Sequence, residues 1–273
     1  MTVRWLPECE ADVVRRLSSA RGVFCFLDYD GTLAPLAPTP SSAVPLPGTA
    51  VRLQALASLP GTRVALITGR TIADLRGFLD LAGIYYVGVH GLEIRFPDGA
   101  IEMSDSVPFV RSVLPEVKRQ IEQAIDGLPG ILIEDKGLAV ACHYRRASRA
   151  DAAKVREAVV TIVRQFQRRV ATTFGHEVVE LRSTLVDKGK AVCRLLTQCG
   201  DGPLALYIGD DQTDEDAFRL LPPESITIRV GTEMVPTAAH YRVDEPSDVL
   251  RFLDAVVEAR CSRREPLARA RER

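Results

Sequence analysis

Short blocks of apolar residues alternate with amphipathic segments along the first hundred residues. Residues 23–27 and 63–67 are almost entirely apolar, which is typical of parallel strands buried on both faces of a sheet. The segments that flank these two blocks have helical periodicity. We predict helices over 8–20, 49–58 and 71–81, a third strand over 85–89, and a hairpin formed by 92–96 and 100–103.

The middle of the chain breaks this alternation with a helix–strand–strand order that occurs twice. The predicted elements are a helix over 109–125, strands over 131–134 and 138–144, a helix over 150–169, and strands over 171–174 and 176–181. Strands over 204–208 and 225–230 then alternate with helices that begin at 189 and 215 and with a last helix over 247–259. We therefore predict an α/β protein with a doubly wound, Rossmann-like parallel-sheet core and an inserted α+β module.

The same pattern predicts how the chain divides into domains. The core is expected to comprise residues 1–104 and 183–262, and the inserted module residues 105–182. Residues 263–273 form a charged tail.

Composition and charge narrow the classes of function. The 273 residues are 46% hydrophobic and 26% charged, and the net charge of −1 gives no general attraction to nucleic acid or anionic membrane. No apolar run approaches the roughly 20 residues that span a bilayer, and the first nine residues do not resemble a signal peptide. The six cysteines are scattered without a C-x-x-C pair. We expect a cytoplasmic, monomeric protein that binds a small molecule and neither nucleic acid nor membrane.

The strongest chemical signal is FLDYDGTL, residues 26–33. Asp28 and Asp30 lie at the carboxyl end of an apolar strand, where open α/β sheets bind their ligands, and Gly31 allows a sharp turn. A polar Asp-Gly turn would explain one of these aspartates but not both. Neighbouring carboxylates repel each other unless a cation lies between them. Mg²⁺, which prefers oxygen ligands and also binds phosphate oxygens, suits that role.

A second acidic cluster follows the strand predicted over 204–208. It contains Asp210, Asp211 and Asp214 within GDDQTDEDAF, residues 209–218. A helix that begins with a capping box of Thr213 and Asp216 would explain the later acidic residues. Capping leaves Asp210 and Asp211 unexplained. Beside a second acidic strand end, metal binding is the better interpretation.

Two further positions suit a bound phosphate. Lys188 stands where a helix begins, and a cation there opposes the helix dipole unless it faces an anion. Thr68-Gly69-Arg70 closes an apolar strand and opens a helix, so its hydroxyl and backbone N–H groups are placed to hold phosphate oxygens. Without the other motifs, Thr68-Gly69 would be explained equally well as a simple turn and helix cap.

Four signatures, taken in their order along the chain, resemble those of haloacid-dehalogenase phosphatases: Asp28-x-Asp30-Gly-Thr, Thr68-Gly-Arg70, Lys188-Gly and Gly209-Asp-Asp-x-x-Asp214. More narrowly, residues 22–255 resemble the trehalose-6-phosphate phosphatase family. The narrower likeness depends on short motifs, namely Gly88-Val-His90-Gly91, Glu134-x-Lys136, His143-Tyr-Arg145, Glu180-Leu-Arg182 and the decapeptide 209–218. Two departures are Thr68 in place of a frequent serine, and Ser183 where the family usually has proline.

The resemblance implies a function and the residues that carry it out. The reaction would be Mg²⁺-dependent hydrolysis of trehalose 6-phosphate, with Asp28 as the nucleophile that becomes an aspartyl phosphate and Asp30 as the general acid and base. Thr68 and Lys188 match the phosphate-binding positions. The metal ligands would be Asp28, the Asp30 carbonyl and Asp210, supported by Asp211 or Asp214. The sugar-binding positions are matched by Gly69, Arg70, His90, Glu134, Lys136, Arg145 and Glu180, and the inserted module would be a cap.

Related reactions are the main alternatives to this hypothesis. Sucrose-phosphate and mannosyl-phosphoglycerate phosphatases differ in the sugar contacts of the cap, and phosphohexomutases return the phosphate to the sugar instead of releasing it. From another class, the chain could be an inactive sugar-phosphate sensor. The intact Asp28, Asp30, Lys188 and Asp210 argue against a sensor.

Overall fold

The computed structural model describes residues 3–166, 170–175, 177–200 and 202–262. The strands are β1 (Arg4–Trp5), β2 (Val23–Asp28), β3 (Thr62–Ile67), β4 (Tyr85–Gly88), β5 (Glu93–Arg95), β6 (Ile101–Met103), β7 (Leu132–Asp135), β8 (Val140–His143), β9 (Val170–Gly175), β10 (Val178–Ser183), β11 (Leu204–Gly209), β12 (Ile226–Val230) and β13 (Tyr241–Val243). The α-helices are α1 (Leu6–Ser19), α2 (Thr49–Ala57), α3 (Ile72–Arg76), α4 (Val107–Ala124), α5 (Arg149–Arg164), α6 (Lys188–Cys199), α7 (Asp214–Leu220) and α8 (Pro246–Ser262).

A large sheet is built around β2. Its strand order is β1-β13-β12-β11-β2-β3-β4-β5-β6, and the pairs from β1 to β4 are all parallel. The hairpin of β5 and β6 adds two antiparallel strands at one edge, as predicted. All six residues of β2 are buried, because strands pair with it on both sides and helices cover both faces. The predicted α/β fold class is confirmed.

Alternate residues of β2 point into two separate hydrophobic cores. Cys25 and Leu27 pack into a core that also takes the apolar faces of α1, α2, α3 and α8. Phe24 and Phe26 face the opposite side, where α6 and α7 pack against the sheet. Helices therefore lie on both faces of the sheet, as a doubly wound fold requires.

A second sheet contains four antiparallel strands in the order β7-β8-β10-β9. Helices α4 and α5 pack against it through their own core, to which Val117 and Val159 contribute fully buried side chains. The helix–strand–strand order that occurs twice in the sequence builds this sheet. The domain boundaries drawn at residues 104 and 182 stay predictions.

Several predicted element boundaries were wrong. The helix predicted over 71–81 is α3 alone, because beyond it the peptide groups of Leu79 and Leu81 hydrogen-bond the hydroxyl of Tyr86. The helix predicted over 150–169 ends at Arg164. The strands β1 and β13 were missed, since two or three residues show no clear alternation.

Other predictions lie partly outside the described residues. They concern the end of the helix predicted over 150–169, His176 at the start of a predicted strand, and the charged tail 263–273. Among the helices that are described, none is both long and apolar enough to cross a bilayer.

The packing of α2 predicts the effect of a core truncation. Leu53 is fully buried in the core that also holds Leu27, whereas Val51 on the same helix is 73% exposed. Leu53→Ala should lower the free energy of unfolding by about 2–5 kcal/mol, because it removes buried methyl groups and leaves a cavity. Val51→Ala is the matched control and should change it by about 0.5 kcal/mol or less. Urea denaturation of both variants measures this difference, and equal effects would contradict the packing of α2.

Candidate active site

The carboxyl ends of β2, β3 and β11 meet at one edge of the large sheet and open into a cavity. Polar side chains of β7, β8 and β10 face the same cavity from the small sheet. The cavity is lined by almost all of the predicted site residues, namely Asp28, Asp30, Thr68, Gly69, Arg70, His90, Glu134, Lys136, Arg145, Glu180, Lys188, Asp210 and Asp211. Asp214 is fully buried and lies behind the lining, next to Lys188.

Lys188 occupies the centre of the site at the first turn of α6. Its ammonium donates to Asp28 Oδ1 at 2.6 Å and to Asp214 Oδ1 at 2.8 Å, and the residue is only 3% exposed. Burial by itself would lower the pKa of Lys188, but Asp214 and Asp28 outweigh it and raise the pKa well above its usual value. Lys188 is therefore a fixed positive charge, held between two carboxylates.

Asp214 organises the loop that follows β11. Besides Lys188, it accepts a hydrogen bond from the Tyr207 hydroxyl at 2.7 Å. The backbone N–H groups of Asp210 and Asp211 donate to its other oxygen, at 3.1 and 3.0 Å. The capping box was wrong, because the Thr213 side chain makes no capping bond and Asp214 satisfies the peptide groups ahead of the helix instead.

Three carboxylates converge beside Lys188. Oxygens of Asp28, Asp210 and Asp214 lie within 4.8 Å of one another, and all three residues are buried. Burial raises the pKa of Asp28 to about 8 against the opposing charge of Lys188. Burial also raises the pKa of Asp210 well above its usual range, and the neighbouring Asp28 and Asp214 add to the effect.

This acidic triad fits a hard cation with oxygen ligands. Asp210 Oδ1 is buried without a hydrogen-bond partner, and the ammonium of Lys188 contacts only Asp28 and Asp214 of the three residues. A divalent cation bound here would stabilise the ionised carboxylates, which burial and mutual repulsion disfavour. Asp211, also predicted as a ligand, contributes no carboxylate to the triad, and the prediction that Asp30 binds through its backbone carbonyl stays a prediction.

Gly31 allows the strand ends to approach this closely. Its φ is +81°, and a Cβ built on it would lie 2.1 Å from Asp210 Oδ2. Any other residue would combine an unfavourable backbone conformation with a clash against the triad. The glycine of the Asp-Gly turn is therefore required by the site as well as by the turn.

The Thr68-Gly69-Arg70 segment leads from β3 towards α3. Thr68 Oγ1 accepts the backbone N–H of Arg70 at 3.1 Å within the turn, and the cap of α3 is Thr71, whose side chain accepts the backbone N–H of Asp74. The Arg70 guanidinium donates two parallel bonds to Asp30, each 2.7 Å long. Arg70 was predicted to contact the sugar, but in the structure it pairs with Asp30.

Glu180 joins the two sheets across the cavity. It lies on β10 and contacts His90 Nε2 at 2.7 Å and Lys136 Nζ at 2.7 Å, and Lys136 also donates to the carbonyl of Gly69 at 3.2 Å. Burial would raise the pKa of Glu180, but Lys136 and His90 together hold it well below its usual value. His90 has a positive φ of 57°, and its backbone N–H donates to Thr68.

Two further ion pairs line the outer part of the cavity. Glu134 contacts His143 Nε2 at 2.8 Å, and this hydrogen bond lowers the pKa of Glu134. Arg145 donates to Glu177 at 2.9 Å and to the carbonyl of Ala37, which belongs to the loop after β2. His143 was named within a family motif but was given no role, and Glu177 was not predicted. His143 is a polar residue at the end of the otherwise apolar β8, and that position could have indicated a site residue. Glu177 lies in the turn between β9 and β10, where no sequence pattern distinguishes it.

Comparison with known proteins identifies the family. The model of the Trehalose-phosphatase family matches residues 26–247. The chain belongs to this family. A trehalose-phosphate phosphatase of Mycobacterium tuberculosis is 37% identical over 258 residues, and one of Mycobacterium marinum is 34% identical over 235 residues. These matches cover 91% and 83% of the chain but only 64% and 59% of the two relatives, so the chain spans about two thirds of their length.

Solved structures show the same fold. The C-terminal domain of a trehalose-6-phosphate phosphatase of C. albicans aligns with a TM-score of 0.85 at 23% identity, covering 94% of this chain and 98% of that one. The trehalose-6-phosphate phosphatase of Aspergillus fumigatus aligns with a TM-score of 0.67 at 28% identity, covering 94% and 100%. A haloacid dehalogenase-like hydrolase of Bacteroides thetaiotaomicron has a similar fold, with a TM-score of 0.61.

The acidic triad predicts that Mg²⁺ stabilises the protein. Adding Mg²⁺ to EDTA-treated protein should raise the midpoint of thermal unfolding, by the equivalent of about 2.7 kcal/mol at a hundredfold excess over Kd. Asp210→Asn should lose most of this shift. Asp211→Asn should keep most of it, because its carboxylate lies outside the triad.

Scanning fluorimetry at constant ionic strength measures these shifts, with NaCl as the control for general salt effects. An unchanged shift in Asp210→Asn would show that the cation binds elsewhere.

Proposed function

We propose that this protein is a Mg²⁺-dependent phosphatase that hydrolyses trehalose 6-phosphate to trehalose and phosphate through an aspartyl-phosphate intermediate. One observation carries the proposal. Asp28 and Lys188 line a single cavity together with polar groups of the small sheet, among them Glu134 and Glu180, and Asp214 contacts Lys188 from behind the lining. The names of the relatives support the choice of substrate. A cytoplasmic, monomeric enzyme is part of the same proposal.

Asp28 is the proposed nucleophile. Its carboxylate attacks phosphorus, the bond from phosphorus to the sugar oxygen breaks, and an acyl phosphate forms on Asp28. A carboxylate that approaches an anionic phosphoryl group is repelled, so positive charge must already be in place. Lys188 supplies such a charge beside Asp28, and Thr68 is placed to hold a phosphoryl oxygen. When bound at the triad, Mg²⁺ supplies further positive charge next to the phosphoryl oxygens.

Asp30 is the proposed general acid and base. A sugar alkoxide is a poor leaving group, so the Asp30 carboxyl gives its proton to the departing sugar oxygen. The resulting Asp30 carboxylate then takes a proton from the water that attacks phosphorus. The bond from phosphorus to Asp28 breaks, phosphate leaves, and Asp28 becomes a carboxylate again. Asp30 lines the cavity together with Asp28, as both steps require.

The small sheet is the proposed sugar-binding half of the cavity, acting as a cap. Glu134, Lys136, Arg145 and Glu180 place charged groups around the space above Asp28. Polar groups that a bound sugar covers reject a sugar that lacks the matching hydroxyls, because the groups would be left without partners. His90, on the side of the large sheet, contacts Glu180 of this group.

Phosphate release from a panel of sugar phosphates tests the proposed function. The panel contains trehalose 6-phosphate, sucrose phosphate, mannosyl-phosphoglycerate and glucose 6-phosphate, each measured with Mg²⁺ and with excess EDTA. We expect release from trehalose 6-phosphate at a kcat/KM at least tenfold above the others, abolition by EDTA and recovery with Mg²⁺. Asp28→Asn should release no phosphate while it still unfolds in a cooperative thermal transition, which shows that the variant is folded. A higher kcat/KM on another sugar phosphate would show that trehalose 6-phosphate is not the substrate. Full activity after chelation would show that the reaction does not need Mg²⁺.

The division of labour between the two sheets predicts a difference between substrates. Glu134→Ala and Arg145→Ala should lose at least about 10²-fold in kcat/KM on trehalose 6-phosphate, on the order of 3 kcal/mol in transition-state binding. Both should hydrolyse p-nitrophenyl phosphate nearly as well as the parent, since that ester makes no sugar contacts. Lys188→Ala should impair both reactions, because both develop the same phosphoryl charge.

Lys154→Ala provides the matched control, because Lys154 is an exposed cation on α5 that forms no part of the cavity lining. It should leave both substrates unaffected. Equal losses on both substrates for the Glu134, Arg145 and Lys188 variants would contradict a sugar-binding role for the small sheet.

A further inference from the structure

We propose that Arg70 is a positioning residue that fixes the Asp30 carboxylate for proton transfer, and that it does not bind the sugar. The inference rests on the proposed role of Asp30 as general acid and base. Family resemblance implies that Arg70 binds the sugar, whereas its guanidinium lies against Asp30.

The Arg70 guanidinium and the Asp30 carboxylate form a two-point contact. Arg70 Nε donates to Asp30 Oδ2 and Arg70 Nη2 donates to Asp30 Oδ1, both at 2.7 Å. Two parallel bonds between planar groups fix the rotation of the carboxylate as well as its distance. A single bond from a lysine would fix the distance only.

The guanidinium itself is held from several sides. Nη2 also donates to the carbonyl of Pro40 at 2.7 Å, and the carbon of the guanidinium lies 5.3 Å from the ring centre of Tyr29 and 5.2 Å from that of Phe78. Contacts of this kind with aromatic faces favour a cation. Arg70 is thus supported independently of Asp30, as a group that positions another must be.

Exposure separates the roles of the two partners. The Arg70 side chain is 6% exposed, whereas that of Asp30 is 35% exposed. A carboxylate has about four lone-pair positions, and the two bonds from Arg70 leave the others available to water or to a leaving oxygen. Asp30 can therefore reach the reacting atoms, while the Nε and Nη2 donors of Arg70 are already engaged by Asp30 and Pro40.

The backbone next to Asp30 is also held in place. Tyr29, between the two catalytic aspartates, is fully buried and donates its hydroxyl to the carbonyl of Ala43 at 2.8 Å. The main chain on one side of Asp30 is thus anchored in the core, and Arg70 restrains the remaining freedom of the side chain. Without Arg70 the carboxylate would rotate among several orientations, few of them aimed at the attacking water.

Burst kinetics with p-nitrophenyl phosphate test this role in the full chain with Mg²⁺. Nitrophenolate leaves without a proton, so the phosphorylation of Asp28 does not need Asp30, whereas hydrolysis of the aspartyl phosphate needs Asp30 to take a proton from water. Arg70→Met should therefore release nitrophenolate in a burst of about one equivalent per enzyme and then turn over about 10²-fold more slowly than the parent. Arg70→Lys should stay within about tenfold of Arg70→Met, because lysine cannot form the two-point contact.

Arg76→Met is the matched control. Arg76 makes the same two-point contact with Asp80, at 2.8 Å for both bonds, but neither residue lines the cavity. This variant should show no burst and an unchanged turnover. Thermal unfolding midpoints of all variants identify any loss of rate that comes from unfolding.

A double-mutant cycle with Asp30→Asn isolates the pair. If Arg70 acts through Asp30, Arg70→Met should lower turnover by less than about twofold in the Asp30→Asn background. Equal losses in both backgrounds, or full activity of Arg70→Lys, would overturn the proposal. So would a raised KM for trehalose 6-phosphate at unchanged kcat, which indicates a sugar contact. p-Nitrophenyl phosphate contains no sugar, so it tests the role of Arg70 independently of the proposed substrate. A parent that cleaves this ester but not trehalose 6-phosphate would refute the proposed substrate, and the burst would still decide the role of Arg70.

Discussion

The chemistry of the cavity depends on one buried ammonium placed between two buried carboxylates. Lys188 begins α6, where the unpaired N–H groups of a helix repel a cation, and the contacts with Asp28 and Asp214 offset that repulsion. Breaking a buried ion pair by removing one partner typically costs about 3–5 kcal/mol, because a charge is left without compensation. These contacts join β2, α6 and α7 at one point, so the three segments are held in register by the charges they carry.

Glycines allow the acidic groups to come this close. A Cβ on Gly209 would lie 2.3 Å from the carboxyl carbon of Asp214, and one on Gly31 would lie 2.1 Å from an oxygen of Asp210. Burial disfavours the charged forms of Asp28 and Asp210, and the short distances between the carboxylates add to the rise of both pKa values. A site with this much repulsion is arranged to receive positive charge, first from Lys188 and then from a hard cation.

In the outer half of the cavity, by contrast, the polar side chains already have hydrogen-bond partners. Glu180 is held by His90 and Lys136, Glu134 is hydrogen-bonded to His143, and Arg145 pairs with Glu177. Groups held in this way lose little further conformational freedom when a ligand binds. The pairs between Glu180 and His90 and between Lys136 and Gly69 also connect the small sheet to the large one, so the geometry of the sugar half is tied to that of the phosphate half.

The sequence by itself determined the order of the main strands and helices, the fold class and the set of residues that meet in the cavity. Continuous apolar blocks become central strands, and parallel strands end at the same edge of a sheet, so polar residues that follow Ile208 and Leu27 had to converge. The tertiary structure decided which of these groups pair. That Lys188 binds Asp214, that Arg70 binds Asp30 across 40 residues of chain, and that β1 pairs with β13 depend on side-chain orientations set by distant packing. No local pattern contains that information, because hydrogen bonds and ion pairs are decided by distances between atoms that only the folded chain brings together.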